Sequence, residues 1–407
     1  MSPGLHTEVD EQVFRPVEFL RVHSIDDNKS DIQTEIWHSA FQPDLENPGK
    51  LTFLLATCGG NSVCITDVKT STVKYKFKAE IGEKLFSLAW GTNISHSVNS
   101  ILAVGGTGKQ IYFISPNDSS VEAADLPGYT NLRDNQRAIA SLIFHPSQLD
   151  VLFCGFSSKK TSQILVSQFD PSKLSNLKVL HKLSCPDSLI QADFHVTSGT
   201  LFCAHNRGLH AWDLDCNLLS KIDDDRSEGY SITLPQPMDK TTGMLHNSTE
   251  TMVDSVLSLR GTSMVAYKIV TFGCIVIFDV SDAEMKNKKL EPKSFHMLEH
   301  DDSNDVYLYL GWEPEKKILA CGDGSGGVWV YNLANLNLNS DITFSTPPST
   351  ILKWPKLKDE YVEIDRKVTV GCKNRKQLSN FVTQVCMNQD YLVSVTRTNF
   401  ICVWKGN

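Results

Sequence analysis

The 407-residue sequence lacks any long apolar segment. A membrane-spanning helix needs roughly 20 consecutive apolar residues, and no run in this chain approaches that length. The opening residues, MSPGLHTEVDEQ, also lack the charged-then-apolar order of a secretory signal peptide. We therefore expect an intracellular protein without a membrane partner.

An excess of positive charge is missing as well. Aspartate and glutamate together number 47, against 39 lysines and arginines, which gives a formal net charge of −8. Domains that grip nucleic acid through its phosphates are usually basic, because lysine and arginine neutralise the backbone. We therefore expect no direct, sequence-specific binding of nucleic acid.

The eleven cysteines include no Cys-x-x-Cys pair and no zinc-like spacing, so the sequence predicts no bound metal. Four of them recur at the end of the same type of strand, in four separate copies of a repeat: Cys58, Cys154, Cys203 and Cys321. Free cysteine packs as a small hydrophobe. We therefore expect these four to be packing residues.

No catalytic motif of a hydrolase, zinc protease or phosphate-binding loop occurs in the chain. One stretch, Gly322-x-Gly324-x-x-Gly327, has the spacing of a dinucleotide-binding loop. That loop needs a helix directly after it, to receive the pyrophosphate. Here Val328-Trp329-Val330-Tyr331 follows, which is typical of a strand. The glycines therefore predict a hairpin turn needing positive φ, with no cofactor and no enzyme activity.

The same hairpin recurs along the chain, each time as two apolar strands around a polar or small-residue turn. The second strands begin near Val63, Ile111, Ile164, Leu209, Ile275, Val328 and Ile401. Four-stranded propeller blades repeat about every 40–45 residues, and insertions lengthen the interval. The sequence therefore predicts an all-β fold, a seven-bladed WD-repeat β-propeller, although only Trp212-Asp213 spells the WD dipeptide.

Domain boundaries follow from the repeat. Residues 14–407 form the predicted propeller, with a polar insertion at about 221–250 and a disordered tail over residues 1–13. The segment RPVEFLRV, residues 15–22, is a strand candidate that precedes the first blade. We expect it to pair with the last blade and so remove an exposed sheet edge.

Four histidines were considered as ligands. His145 and His195 follow phenylalanine at equivalent positions of two repeats, which favours hydrogen bonding within turns. His296 and His300 lie in an acidic segment between blades, where solvation is the expected state. None is predicted to bind a metal.

Several segments resemble one family closely. They are VEFLRVHSIDDNKSDIQTEIWHSAFQPD, ATCGGNSVCITDV, CGDGSGGVWVYNLANL, STILKWP and TNFICVWKG. In this order they are similar to the WD-repeat domain of the leucine-rich repeat and WD repeat-containing protein 1 family, also called origin recognition complex-associated proteins. A more distant resemblance, in LFSLAWGTNISHSVNSILAVGG, is to the embryonic ectoderm development propellers of polycomb complexes. The family's leucine-rich repeats do not occur in this sequence.

The resemblance implies a nuclear, chromatin-associated protein acting in DNA replication and heterochromatin organisation. Its implied partners are origin recognition complex subunits and histone tails with repressive lysine methylation. In the polycomb propellers an aromatic cage binds the methylated lysine, and the matching positions here are Trp37, Phe86 and Tyr307. A trimethylammonium group cannot donate hydrogen bonds, but ring faces attract its charge.

Two alternatives stay open. The three rings could belong to the core between blades, which is a common fate of propeller aromatics. The chain could also be a generic WD-repeat scaffold, such as a ubiquitin-ligase substrate adaptor or a polycomb-like subunit. Neither would need an aromatic cage.

Overall fold

Strands make up nearly all the regular structure of the computed structural model. It describes residues 14–24, 28, 31, 33–93, 98–108, 110–126, 138–157, 162–214, 228–235, 251–301, 305–336, 345–355 and 381–406. These strands form seven sheets, each built on four antiparallel strands, in an all-β WD-repeat propeller of seven blades. The described residues also include one turn of 3-10 helix, Val280–Asp282.

Each blade begins with its inner strand. Blades one and two are β2 (Ile36–Pro43), β3 (Leu51–Gly59), β4 (Ser62–Asp67) and β5 (Thr72–Lys78), then β6 (Leu85–Asn93), β7 (Asn99–Gly106), β8 (Gln110–Ser115) and β9 (Ser120–Asp125). Blade three is β10 (Ala138–Phe144), β11 (Val151–Ser157), β12 (Ser162–Asp170) and β13 (Lys173–Cys185). Blade four is β14 (Leu189–His195), β15 (Thr200–His205), β16 (Gly208–Asp213) and β17 (Tyr230–Ile232).

The remaining blades carry additions. Blade five is β18 (Val253–Ser258), β19 (Met264–Ile269), β20 (Cys274–Asp279) and β23 (Phe295–Glu299). A separate hairpin, β21 (Ala283–Lys286) and β22 (Lys289–Pro292), lies between β20 and β23 in the sequence. Blade six is β24 (Gly311–Glu313), β25 (Ile318–Gly322), β26 (Val328–Asn332) and β28 (Thr350–Leu352), with β27 (Ser345–Thr346) paired to β23. Blade seven is β29 (Val382–Met387), β30 (Tyr391–Thr396), β31 (Ile401–Lys405) and β1 (Arg15–Leu20).

Burial explains the sequence pattern of the strands. The middle strands β7 and β15 are buried along almost their whole length, because neighbouring blades cover both of their faces. The outer strand β5 is exposed or half-buried throughout. Continuous apolar runs are therefore needed only in the middle strands, and these are the hairpins that reveal the repeat.

Seven separate hydrophobic clusters lie between neighbouring blades. Leu55 and Cys64 of blade one pack with Val393 and Ile401 of blade seven, for example. The other six clusters join the remaining pairs of neighbours around the ring. Blade-to-blade packing therefore closes the ring through side chains.

The first strand closes the ring through its backbone. β1 pairs antiparallel with β31, from Arg15 opposite Lys405 to Leu20 opposite Ile401. Phe19 is buried, and its ring lies 6.0 Å from that of Trp354. The pairing of this segment with the last blade is confirmed. The tail over residues 1–13 lies outside the described residues.

Two segments for which the sequence predicts no strand contribute strands to blade four. Within the polar insertion of about 221–250, β17 completes blade four, because Ala211 pairs with Tyr230. The hairpin of β21 and β22 then extends that blade, since β22 runs parallel to β17. Residues 215–227 and 236–250 lie outside the described part of the chain. β17 is three residues long, too short to show a strand pattern in the sequence.

Candidate functional site

The glycine-rich motif is a turn between β25 and β26. A strand follows it, as predicted, and no helix N-terminus faces the loop. The carboxylate of Asp323 accepts hydrogen bonds from the backbone N–H groups of Ser325 and Gly327, at 2.8 and 2.7 Å. Only Gly326 has positive φ, at 99°. Gly324 and Gly327 instead lie where a Cβ would collide with a carboxylate, so close approach, and not positive φ, requires glycine at these two positions.

The structure brings the three candidate cage rings together. The ring centroid of Trp37 lies 5.6 Å from that of Phe86 and 6.1 Å from that of Tyr307. Both neighbours stand nearly perpendicular to the Trp37 ring, at 84° and 87°. All three side chains are half-buried, unlike the fully buried core ring of Trp212. The trio thus keeps partly accessible ring surface.

Backbone irregularities present the first two rings. The pairing of β2 with β3 skips Trp37, and the pairing of β6 with β7 skips Phe86 at the matching place. A β-bulge leaves one residue unpaired and re-aims its side chain. Both rings therefore stand at bulges of the inner strands of neighbouring blades. In blade three the same position is Ala140, which offers no ring.

Tyr307 reaches the site from blade six through a strained turn. Its φ is +64°, a conformation that bulky residues rarely adopt. The segment is held by a buried ion pair, because Asp254 accepts from the Leu308 N–H at 3.1 Å and Lys268 donates to the Asp305 carbonyl at 3.1 Å. Lys268 and Asp254 are themselves 3.2 Å apart and almost fully buried. Burial raises the pKa of Asp254, and the Lys268 ammonium opposes that rise.

A fourth element, the turn between β30 and β31, contributes a cation. The guanidinium of Arg397 stacks on Phe381, 4.0 Å from the ring centroid, and lies 5.1 Å from that of Trp37. Its Nη2 donates to the carbonyl of Val306 at 3.2 Å. Sequence reasoning missed Arg397, since a charged residue in a turn is normally solvated.

Two histidines have the predicted role in turns. The Nδ1 atom of His145 accepts from the N–H groups of Ser147 and Gln148, at 3.1 and 2.9 Å. His195 contacts the Thr262 carbonyl through Nε2 at 3.3 Å. Burial lowers the pKa of both imidazoles. Neither lies at the aromatic trio.

For the other two histidines, the predicted solvation is wrong for His300, and the predicted loop is wrong for His296. His300 is buried, and its Nε2 contacts the Gly322 carbonyl at 3.1 Å beside the ring of Trp329. Burial lowers the pKa of His300 to about 4. His296 lies on β23 and contacts the Thr346 hydroxyl at 3.0 Å, so it is part of a strand.

The repeated cysteines are packing residues, as predicted. Cys58, Cys154, Cys203 and Cys321 are completely buried. Burial raises the pKa of all four thiols, which keeps them protonated and unreactive.

The described residues offer few other sites. A cavity of about 490 Å³ lies on blade four, where Arg207, His210, Tyr230 and Lys288 are among its lining residues. None of the three rings lines it. Within the described ranges, no cluster of three or more histidine, cysteine or acidic side chains is placed to hold a metal ion. No helix in that part of the chain is long and apolar enough to cross a membrane.

Comparison with known proteins extends these observations. A family model described as "Leucine-rich repeat and WD repeat-containing protein 1, WD domain" matches residues 10–407. The protein of that name from Xenopus laevis is 28% identical over 98% of this chain and 54% of its own length. Those from Danio rerio and Homo sapiens are 28% and 24% identical over 96% of this chain, and over 50% and 57% of theirs. The chain spans about half the length of these relatives.

Proposed function

The chain belongs to the WD-domain family of leucine-rich repeat and WD repeat-containing protein 1, and on that premise we propose that it is a non-catalytic chromatin reader. It binds histone tails through trimethylated lysine, with Trp37, Phe86 and Tyr307 as the aromatic cage. Through the same propeller it associates with the origin recognition complex in the nucleus, in DNA replication and heterochromatin organisation.

The convergence of the three rings supports this proposal most directly. Trimethyl-lysine is attracted to ring faces with about 0.5–2 kcal/mol per contact, and several faces must meet at one point. Two rings lie close to Trp37, and each is nearly perpendicular to its plane. Each ring stands at a bulge or at a positive-φ residue, where regular strand geometry would not have placed it.

Overall charge also favours this partner. Histone tails are basic, and the chain has a net charge of −8. Opposite net charges accelerate encounter and raise the local concentration of the ligand. The association with the origin recognition complex rests on the family resemblance alone, and we assign it no surface.

A methylated-histone peptide array with the purified chain tests the proposal. The best peptide is then titrated against Trp37→Ala, Phe86→Ala and Tyr307→Ala. We expect each variant to lose about 1–2 kcal/mol of binding free energy, with little binding of the unmodified peptide throughout. Tyr75→Ala is the matched control, because Tyr75 is a half-buried ring on the outer strand β5.

Two results would contradict the proposal. Core rings cost about 3–5 kcal/mol of folding free energy when replaced by alanine. Variants that lose this much stability, and whose remaining folded fraction binds normally, would make the trio core residues. A pull-down that returns ubiquitin-ligase subunits, and neither histones nor origin complex, would favour the adaptor alternative.

A further inference from the structure

Arg397 places a permanent positive charge at the aromatic site. Its guanidinium carbon lies 5.1 Å from the centroid of the Trp37 ring, which is within the range of cation–π attraction. The stack on Phe381 and the hydrogen bond to the Val306 carbonyl fix the group in place. A guanidinium cannot lose its charge in a protein. Trp37 therefore already contacts one cation that belongs to the chain.

Internal cations also donate hydrogen bonds to the two carbonyls that precede Tyr307 in the chain. The Val306 carbonyl accepts from Arg397 at 3.2 Å, and the neighbouring Asp305 carbonyl accepts from Lys268 at 3.1 Å. The carboxylate of Asp254 pairs with the same lysine at 3.2 Å. A ligand that approaches the Trp37 ring beside Arg397 therefore finds the Val306 carbonyl already bonded to a cation.

This arrangement treats different ammonium groups unequally. A lysine ammonium, or its monomethyl form, carries N–H donors that lose their water on burial and need new acceptors. A quaternary ammonium has no N–H donor, so it loses no hydrogen bond to water on burial and needs no free acceptor in the site. The positive charge of Arg397 repels both kinds of ammonium ion, so charge alone does not favour the binding of either.

We propose that Arg397 determines the specificity of the aromatic site. It occupies the Val306 carbonyl and holds a fixed charge against the Trp37 ring, and thereby restricts the site to quaternary ammonium ligands. The inference rests on the proposed function, because it concerns the ligand of the same rings. The rings supply attraction for any cation, and Arg397 supplies the discrimination.

The test uses two small cations as probes, tetramethylammonium and methylammonium chloride. Each is titrated into the full chain labelled with fluorotryptophan, with sodium chloride at equal ionic strength as the salt control. The fluorine resonance of Trp37 reports binding, and W37F assigns it among the seven tryptophans. The variants are R397Q, which removes the charge, and R397K, which keeps it. Thermal melting checks folding, and R397M replaces R397Q if the latter does not fold.

We expect the wild-type chain to bind tetramethylammonium about tenfold or more tightly than methylammonium, the factor that one charge-assisted hydrogen bond supplies. In R397Q methylammonium should gain, and the ratio should fall about fivefold or more, since the Val306 carbonyl becomes free to accept. R397K should keep most of the discrimination.

The other possible results separate the role of Arg397 from the proposed function. If R397Q discriminates as strongly as the wild-type chain, the specificity role is wrong and the proposed function stands. If R397Q binds either cation and the wild-type chain binds neither, Arg397 does exclude cations and the proposed function is wrong. If neither protein binds either cation, both proposals are wrong.

Discussion

Tyr307 holds a backbone conformation that suits glycine far better than tyrosine. A non-glycine residue at φ +64° is strained by about 1–3 kcal/mol. The ion pair of Asp254 and Lys268 holds the segment in place against that strain. Strain of this kind concentrates at functional sites, so we infer that the ring is retained for a ligand and adds little to stability.

Tyr307→Gly tests this directly. Glycine relieves the strain, but it makes the unfolded chain more flexible by about 0.4–1 kcal/mol, so the two effects nearly cancel. We expect an unfolding free energy within about 1 kcal/mol of the wild-type value, measured by chemical denaturation, together with loss of trimethyl-lysine peptide binding. A loss of stability of about 3 kcal/mol or more would instead identify a core ring.

His23 ties blade seven to blade one, and its burial favours the neutral imidazole. Its ring nitrogens contact the hydroxyls of Ser62 and Thr57, both at 2.8 Å, and its backbone N–H donates to Asn399. Burial lowers its pKa from 6.5 to about 3. The unfolded chain therefore binds a proton below pH 6.5 that the folded chain does not bind until about pH 3.

Stability should consequently be complete above pH 6.5 and fall as the pH drops below it. His23 alone accounts for about 2 kcal/mol between pH 6.5 and pH 5, because one pKa unit corresponds to 1.36 kcal/mol. Unfolding by denaturant at a series of pH values measures the slope. His23→Gln should flatten it by about one proton. An unchanged slope would show that other groups control the acid sensitivity.

At the scale of elements, β1 is the strand whose removal matters most. It covers the edge of β31 and buries Phe19 against blades six and seven. Deletion of residues 1–22 should leave that edge unpaired, which lowers the melting temperature and promotes aggregation. Deletion of residues 1–13 is the matched control and should leave melting unchanged. Equal melting of the two truncated chains would show that the ring closes without β1.

The sequence predicted the elements with a clear period and missed those without one. The hairpins were found because their middle strands are buried on both faces and therefore read as apolar runs. The hairpin of β21 and β22 is largely exposed and charged, so no apolar run marks it. Its Asn287 and Lys288 both have positive φ, and they lack the glycine that usually signals such a turn.

The candidate site also combines residues that the sequence predicted with residues that it did not. Trp37 and Phe86 were predicted from the resemblance to the polycomb propellers, and the structure places both at the same bulge of their inner strands. Arg397 and Lys268 could not be found in this way. Their roles depend on contacts with residues far away in the sequence, which local patterns do not encode.

At the scale of the whole molecule, a belt of polar side chains joins the inner strands. Gln384 of blade seven accepts from the Ser39 N–H of blade one at 2.6 Å. Ser87 accepts from blade three at 3.0 Å, and Ser141 accepts from blade four at 3.1 Å. Gln191 likewise accepts from blade five at 3.0 Å. These bonds tie the inner strands of four pairs of neighbouring blades together.

The net charge of the chain predicts how the rate of peptide association depends on salt. A chain of net charge −8 attracts basic peptides over a distance that salt shortens, from about 30 Å at 0.01 M to about 8 Å at 0.15 M. Peptide association should therefore slow markedly as salt rises, and dissociation should change little. Stopped-flow binding at several salt concentrations measures both rates. Association that is independent of salt would show that the acidic surface does not attract the ligand.

The partnership of β1 and β31 also imposes an order of events on folding. The hydrogen bond from His23 to Asn399 spans 376 residues, so it forms only by closing a very long loop. Contacts between residues so far apart in the sequence slow folding, because the chain loses the entropy of loop closure before the contacts can stabilise it. During synthesis β1 emerges before the other strands of all seven blades, and its partner β31 emerges after the other described strands. Blade seven is therefore incomplete until translation reaches β31, and β1 remains an unpaired strand throughout that time.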